Sequence, residues 1–150
     1  MKKTGVKVFV TYDKKLLLIL RDNKSNIPFP NTWNLPGGDI DEDESCKEAV
    51  NRELKEEINI NPSNITYLGK QIYQDGSVVL RYLAKLNDQE YKDIKLGNEG
   101  QKLDFFSLDE IKNLNLAGYS KEHLIEYTDQ LKKVIEEDTK PIPELLDFNT

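Results

Sequence analysis

Residues 36–60 read PGGDIDEDESCKEAVNRELKEEINI, and no other stretch constrains the chain as tightly. Ser45 and Glu48 have the spacing of a capping box, in which a hydroxyl and a carboxylate satisfy free N–H groups at a helix start. Cys46, Val50, Leu54 and Ile58 then recur at i+4, so one face of the predicted helix is apolar and needs a partner surface. Beside that row lie Glu53, Glu56 and Glu57, with Glu57 at its edge. Glu53 neighbours both other glutamates at helical spacing, and like charges so placed cost a helix roughly 0.2–0.5 kcal/mol per pair. No lysine falls within the patch.

Two readings of the patch are open: a solvated acidic face, or carboxylates gathered for a divalent cation. The context favours the second. Consecutive glycines at 37 and 38 let backbone come close to a ligand, and hard cations take oxygen donors, often a few carboxylates together with substrate phosphates. Of 21 basic residues only Arg21, Arg52 and Arg81 are arginines, so Arg52 inside the patch suggests a need for the planar fork that holds a carboxylate.

The rest of the chain reads as one domain, residues 1–150, with strands around a helix. VKVFVTY (6–12) alternates as a strand does, DKK suggests a hairpin, and LLLILR (16–21) reads as a strand buried on both faces. Residues 22–43 carry Pro28, Pro30, Pro36 and two glycines and read as a long loop, a feature usually tied to function. Strand-like runs follow at 65–73, 77–86 and 99–108, the last ending at Ser107 with capping-box spacing to Glu110. A final helix is expected over roughly 120–137, with Leu124, Ile125, Thr128, Leu131, Val134 and Ile135 on one side. His123 is expected on the surface of that helix, and Trp33 as a packing residue under the loop.

Net charge −6 and a pI near 4.9 argue against a nucleic-acid footprint, which needs a clustered basic surface. Cys46 is the only cysteine, which excludes an internal disulfide and a cysteine zinc site. The apolar run at 16–20 is too short for a membrane span, and a cytoplasmic protein with no membrane partner is expected.

From Gly38 the chain runs glycine, five residues, Glu44, seven residues, then Arg52-Glu53-Leu54-Lys55-Glu56-Glu57-Ile58-Asn59-Ile60. This resembles the Nudix box, as does the lead-in WNLPGG (33–38). The single departure is Asn59, where the family has glycine; asparagine tolerates the left-handed backbone of a helix stop better than most residues.

The resemblance implies an α+β fold, an α/β/α sandwich with a mixed sheet between helices, and the box at 38–60. It also implies metal-dependent hydrolysis of a nucleoside diphosphate linked to another moiety. Glu53, Glu56 and Glu57, with backbone at Gly37 or Gly38, would hold Mg²⁺ or Mn²⁺, with Arg52 bracing a ligand carboxylate and Glu44 orienting. Glu99, in a region similar to the MutT branch, is the candidate for general base or further metal ligand, with Glu53 as rival base. Arg21, Leu35, Gly37 and Gly38 would meet the nucleotide substrate. Asp75 stands where ADP-ribose pyrophosphatases carry a proline, and residues 76–78 lack the tyrosine of dinucleoside polyphosphate hydrolases. Compact length, the EGQ region (99–101) and the simple architecture are most similar to MutT-type enzymes, so the resemblance implies a MutT-like (deoxy)nucleoside triphosphate pyrophosphohydrolase releasing NMP and pyrophosphate, although Asp39 replaces a frequent phosphate-binding lysine. The alternatives are hydrolysis of another nucleotide or sugar-nucleotide diphosphate, or a nucleotide-sensing domain without turnover.

Overall fold

Strand β1 (Thr4–Tyr12) is the spine of the sheet, and its alternation decides where each helix goes. Val6, Val8 and Val10 are buried on one face, in the core that the carboxylate helix closes. Phe9 is buried on the opposite face, in a second core closed by the C-terminal helices. The computed structural model describes residues 3–137 and 148–149. Asp13 and Lys14 both take left-handed backbone (φ 49 and 62) and turn the chain into β2 (Lys15–Leu20), the hairpin expected of DKK.

Residues 22–43 depart from the expected loop, because two short strands form within them. β3 (Trp33–Asn34) pairs with the end of β2, and β4 (Gly37–Asp39) pairs with the start of β1, Val6 opposite Gly38. Glycine has little strand preference of its own, so this pairing is imposed by β1 and invisible to local pattern. It fixes the Pro-Gly-Gly turn in place. Trp33 packs edge-to-face on Phe106, as a packing residue should.

Helix α1 (Cys46–Ile58) begins at Ser45: the hydroxyl accepts from the Glu48 N–H (3.1 Å), and the Glu48 carboxylate accepts from the Ser45 N–H (3.0 Å). Val50, Leu54 and Ile58 are fully buried, each contributing roughly 1.5–3 kcal/mol, while Cys46 is only partly covered. The helix stops at Asn59 in the left-handed region (φ 64, ψ 30).

Strands β5 (Ile65–Ile72) and β6 (Val78–Lys85) pair antiparallel, and β6 lies parallel to β1. Helix α2 (Asp88–Asp93), absent from the expected elements although Asn87 and Glu90 form a capping box at its start, leads to β7 (Lys102–Phe106), antiparallel to β2. The sheet is mixed, in the order β3-β2-β1-β6-β5-β8, with β4 on β1, β7 on β2 and β8 (Phe148–Asn149) on β5. Ser107 caps α3 (Leu108–Ile111) with Glu110, as its spacing indicated.

The single helix expected over 120–137 is three pieces. They are α4 (Gly118–Lys121), a π-helical turn (Glu122–Glu126) and α5 (Thr128–Ile135). The Thr128 hydroxyl donates back to the Leu124 and Ile125 carbonyls (2.8 and 2.9 Å), a competing bond of the kind that bends helices. Leu124, Leu131, Val134 and Ile135 reach the second core, but the break rotates Ile125 outward, and it is exposed. With α1 on one face and α4–α5 on the other, the architecture is the expected α+β sandwich. Among the described residues no helix is long and apolar enough to cross a membrane.

Candidate active site

The site is assembled where α1 passes the Pro-Gly-Gly turn, and Arg52 is its hub. Its guanidinium forks onto Glu44, Nε to Oε2 at 2.7 Å and an Nη to Oε1 at 2.9 Å. The same group donates to Glu53 (3.0 Å), to Glu56 (3.4 Å) and to the Asp39 carbonyl (3.0 Å). A lysine ammonium has no planar fork with which to reproduce this set. The hydrogen bond from Arg52 holds the Glu44 carboxyl down to about 2, and in return raises the guanidinium above its ordinary value.

Glu57 is half-buried and accepts from the Gly37 N–H (3.2 Å). Burial, and then the charge of Glu53, push its carboxyl up to about 8. Two carboxylates thus compete for one poorly solvated place. Gly37 has φ 145, and a Cβ there would stand 2.1 Å from the Val6 carbonyl oxygen. At Gly38 a Cβ would fall 2.4 Å from Glu53 Oε1, so the missing side chain leaves a cradle for that carboxylate. Hard carboxylate oxygens, mutual repulsion and closely approaching backbone fit Mg²⁺ or Mn²⁺. Among the described residues no three acid, histidine or cysteine side chains converge into a ready-made cage, since Arg52 engages both Glu53 and Glu56.

Four of the expected acidic residues share one cleft. Glu53, Glu56 and Glu57 line it with Asn98 and Glu99, in a space of about 250 Å³. Glu57 and Glu99 also border an adjoining cleft of about 260 Å³, whose walls include Arg21, Lys24, Ile27, Asn34 and Leu35. Glu99 is exposed and reaches the site on irregular backbone between α2 and β7. Arg21 lies in the cleft wall, with its Nε bonded to the Pro28 carbonyl (3.1 Å). Leu35, expected at the substrate, is buried in the second core and also lines this cleft.

Lys7, Asn34 and Ser120 were not singled out by sequence. Lys7 Nζ donates to Asn34 Oδ1 (3.3 Å) and to the Leu35 carbonyl (3.4 Å), and the Ser120 hydroxyl donates to the same Oδ1 (2.5 Å). Burial lowers the Lys7 ammonium below its ordinary value, while Glu57 pulls the other way. One signal was available: Lys7 is in phase with Phe9 along β1, on the face away from the valines. His123 is a correction. It is fully buried rather than on a surface, and its Nδ1 accepts from Arg81 Nε (2.8 Å). Burial and the Arg81 charge push it down to about 3.

A family model described as the NUDIX domain matches residues 1–127. The ADP-ribose pyrophosphatase of Methanocaldococcus jannaschii is 33% identical over 106 residues, which cover 68% of this chain and 60% of that protein. The chain thus spans less than two thirds of that relative's length. Among solved structures, the NUDIX domain of Shewanella oneidensis NrtR, in complex with ADP ribose, is similar with a TM-score of 0.66 and 27% identity, covering 87% of this chain and 89% of that one. A MutT NUDIX hydrolase from Burkholderia pseudomallei is similar with a TM-score of 0.68 and 26% identity, covering 83% and 97%.

Proposed function

The chain belongs to the NUDIX domain family, and from that premise we propose that it hydrolyses the pyrophosphate link of a nucleoside diphosphate derivative with Mg²⁺ or Mn²⁺. The observation that carries this reading is the meeting of Glu53, Glu56, Glu57 and Glu99 in one cleft, beside a second cleft bearing Arg21 and Lys24.

In this reading Glu53, Glu56 and Glu57, with backbone of the Pro-Gly-Gly turn, would hold the cation, and Glu99 would add a carboxylate from the stretch between α2 and β7. Bound there, a divalent cation neutralises polyphosphate charge and makes water nucleophilic near neutral pH. Arg52 keeps Glu53 and Glu56 aimed, and is itself kept flat by the two-pronged contact with Glu44. Arg21 and Lys24 supply positive charge for the phosphates leaving the acidic end. Glu99 or Glu53 takes the proton of the attacking water.

The substrate reading is a MutT-like one: a (deoxy)nucleoside triphosphate cut to NMP and pyrophosphate, supported by the missing ADP-ribose proline at Asp75. Asp75 instead accepts from the Ser77 N–H (2.8 Å), in the turn between β5 and β6. A second reading, ADP-ribose, is favoured by the likeness to an ADP-ribose pyrophosphatase. One assay separates them. A panel of nucleoside triphosphates, sugar nucleotides and ADP-ribose is incubated with Mg²⁺ or Mn²⁺ and the products are identified. NMP with pyrophosphate supports the first reading; AMP with ribose 5-phosphate supports the second. Equal turnover by Glu57→Gln would sink the metal-site assignment, and no turnover of any member would count against both hydrolytic readings.

A further inference from the structure

Glu99 is carried by backbone without regular structure, yet that backbone is fastened to the end of α1. The Lys95 N–H donates to the Ile58 carbonyl (3.1 Å), and the Gly97 N–H donates to the Glu57 carbonyl (2.8 Å). Both acceptors are among those a helix leaves unpaired at its C-terminus. A third tie comes from a side chain: Asn59 Nδ2 donates to the Asp93 carbonyl (3.3 Å). Gly97 allows the approach because it lacks a Cβ, which would stand 2.0 Å from the Glu56 carbonyl oxygen.

Asn59 is the one position where the box departs from glycine. A glycine there supplies the left-handed stop and nothing more. Asparagine supplies the stop and also an amide that holds the chain entering the strap. We infer that Asn59 is a positioning residue, whose side-chain amide straps the backbone from Asp93 onward to the end of α1 and so sets Glu99 against Glu53, Glu56 and Glu57. The inference rests on the proposed role of Glu99. Its physical basis is a contrast in rigidity. Three of the glutamates ride on one packed helix, whereas the exposed Glu99 side chain is only as well placed as the strap beneath it.

Asn59→Gly keeps the left-handed stop and removes the amide. In the metal-free variant the Lys95 and Gly97 amides should exchange hydrogen faster, and Mn²⁺ titration should show affinity weakened about fivefold, the size of one modest hydrogen bond. The kcat should fall by a similar factor while KM for the nucleotide stays within about twofold. In a Glu99→Gln background the same substitution should change kcat less than about twofold, because the group it positions is gone. Gly97→Ala, which displaces the strap itself, should lose more than about tenfold in kcat, again only while Glu99 is present. Unchanged exchange at Lys95 and Gly97 in Asn59→Gly overturns the inference, as does an equal kcat loss in both backgrounds; either leaves the proposed function standing. Wild-type kcat and Mn²⁺ affinity in Glu99→Gln alone would instead remove Glu99 from the site.

Discussion

Gly38→Ala is a steric test of the carboxylate site whose outcome can be worked from distances. The Gly38 backbone lies outside the left-handed region, so alanine meets no backbone penalty there. The added Cβ would stand 2.4 Å from Glu53 Oε1, 2.8 Å from its Cδ and 3.1 Å from Oε2. Non-bonded carbon contacts are comfortable near 3.5–4.0 Å, so the carboxylate must retreat by about 1 Å. Glu53 is only 9% exposed and bonded to Arg52, and retreat therefore drags that contact along. An error of ~1 Å in a reactive constellation costs about 100-fold in rate. Stability should change by only about 1 kcal/mol, because what moves is the end of a side chain.

Gly37→Ala is the control. Its Cβ would meet backbone, the Val6 carbonyl oxygen at 2.1 Å, and φ 145 is forbidding to alanine, so roughly 3 kcal/mol or more of stability should go. Steady-state hydrolysis of the responsive nucleotide with Mg²⁺, beside circular-dichroism melts, reads both quantities. Wild-type kcat in Gly38→Ala would refute the claim that Glu53 must sit where it does. Melting as early as Gly37→Ala would refute the claim that the clash is borne by a side chain.

Arg52→Lys should lower kcat by about 10–100-fold, because the fork joining Glu44 to the metal-side glutamates is lost; unchanged Mn²⁺ affinity and kcat would contradict this. Mg²⁺ should raise the melting temperature of the wild type but not of Glu57→Gln, since a ligand that binds only the folded chain stabilises it. The Glu57 carboxyl is raised to about 8 when folded, so the folded state binds the extra proton, and metal-free stability falls as pH rises from about 4.5 to 8. Glu57→Gln should therefore be the more stable protein at pH 8, with the gap closing toward pH 4.5 in urea melts. His123 has the opposite sign. Its folded value is depressed to about 3, so the unfolded chain binds the proton, and stability falls as pH drops from about 6.5 toward 3. The Glu57→Gln background exposes that limb by removing the opposing slope, and a flat profile below pH 6.5 there would contradict the burial of a neutral His123.

What was legible in the sequence had a local cause. The α1 cap, the Val50, Leu54 and Ile58 part of its apolar row and its left-handed stop are each decided within a few residues, and they stand as expected, while Cys46 at the start of the row is only partly covered. The DKK hairpin is equally local. β3 and β4 were not legible, because Gly37 and Gly38 join the sheet only through pairing with a strand some thirty residues earlier. His123 misled for a similar reason. A helical period places it on a face, but the π-helical turn and the strand residue Arg81 decide that the face is buried. In the site, the glutamates and Arg52 were readable as a cluster on one helix, whereas Lys7, signalled only by its phase with Phe9 along β1, and Ser120 join through tertiary contacts.

The pairing of β1 has a consequence for how the chain comes to be folded. Thr4 lies opposite Val78 and Thr11 opposite Lys85, so the central strand finds its parallel neighbour only once residues 78–85 exist. During synthesis from the N-terminus, the hairpin of β1 and β2 can close early, but one edge of β1 stays unpaired until β6 has emerged. That edge belongs to a strand with Val8, Phe9 and Val10 in succession, apolar on both faces, the kind of segment that aggregates when it waits. Folding of the isolated chain should accordingly be limited by this late long-range closure and not by α1, whose capped helix can form while it waits.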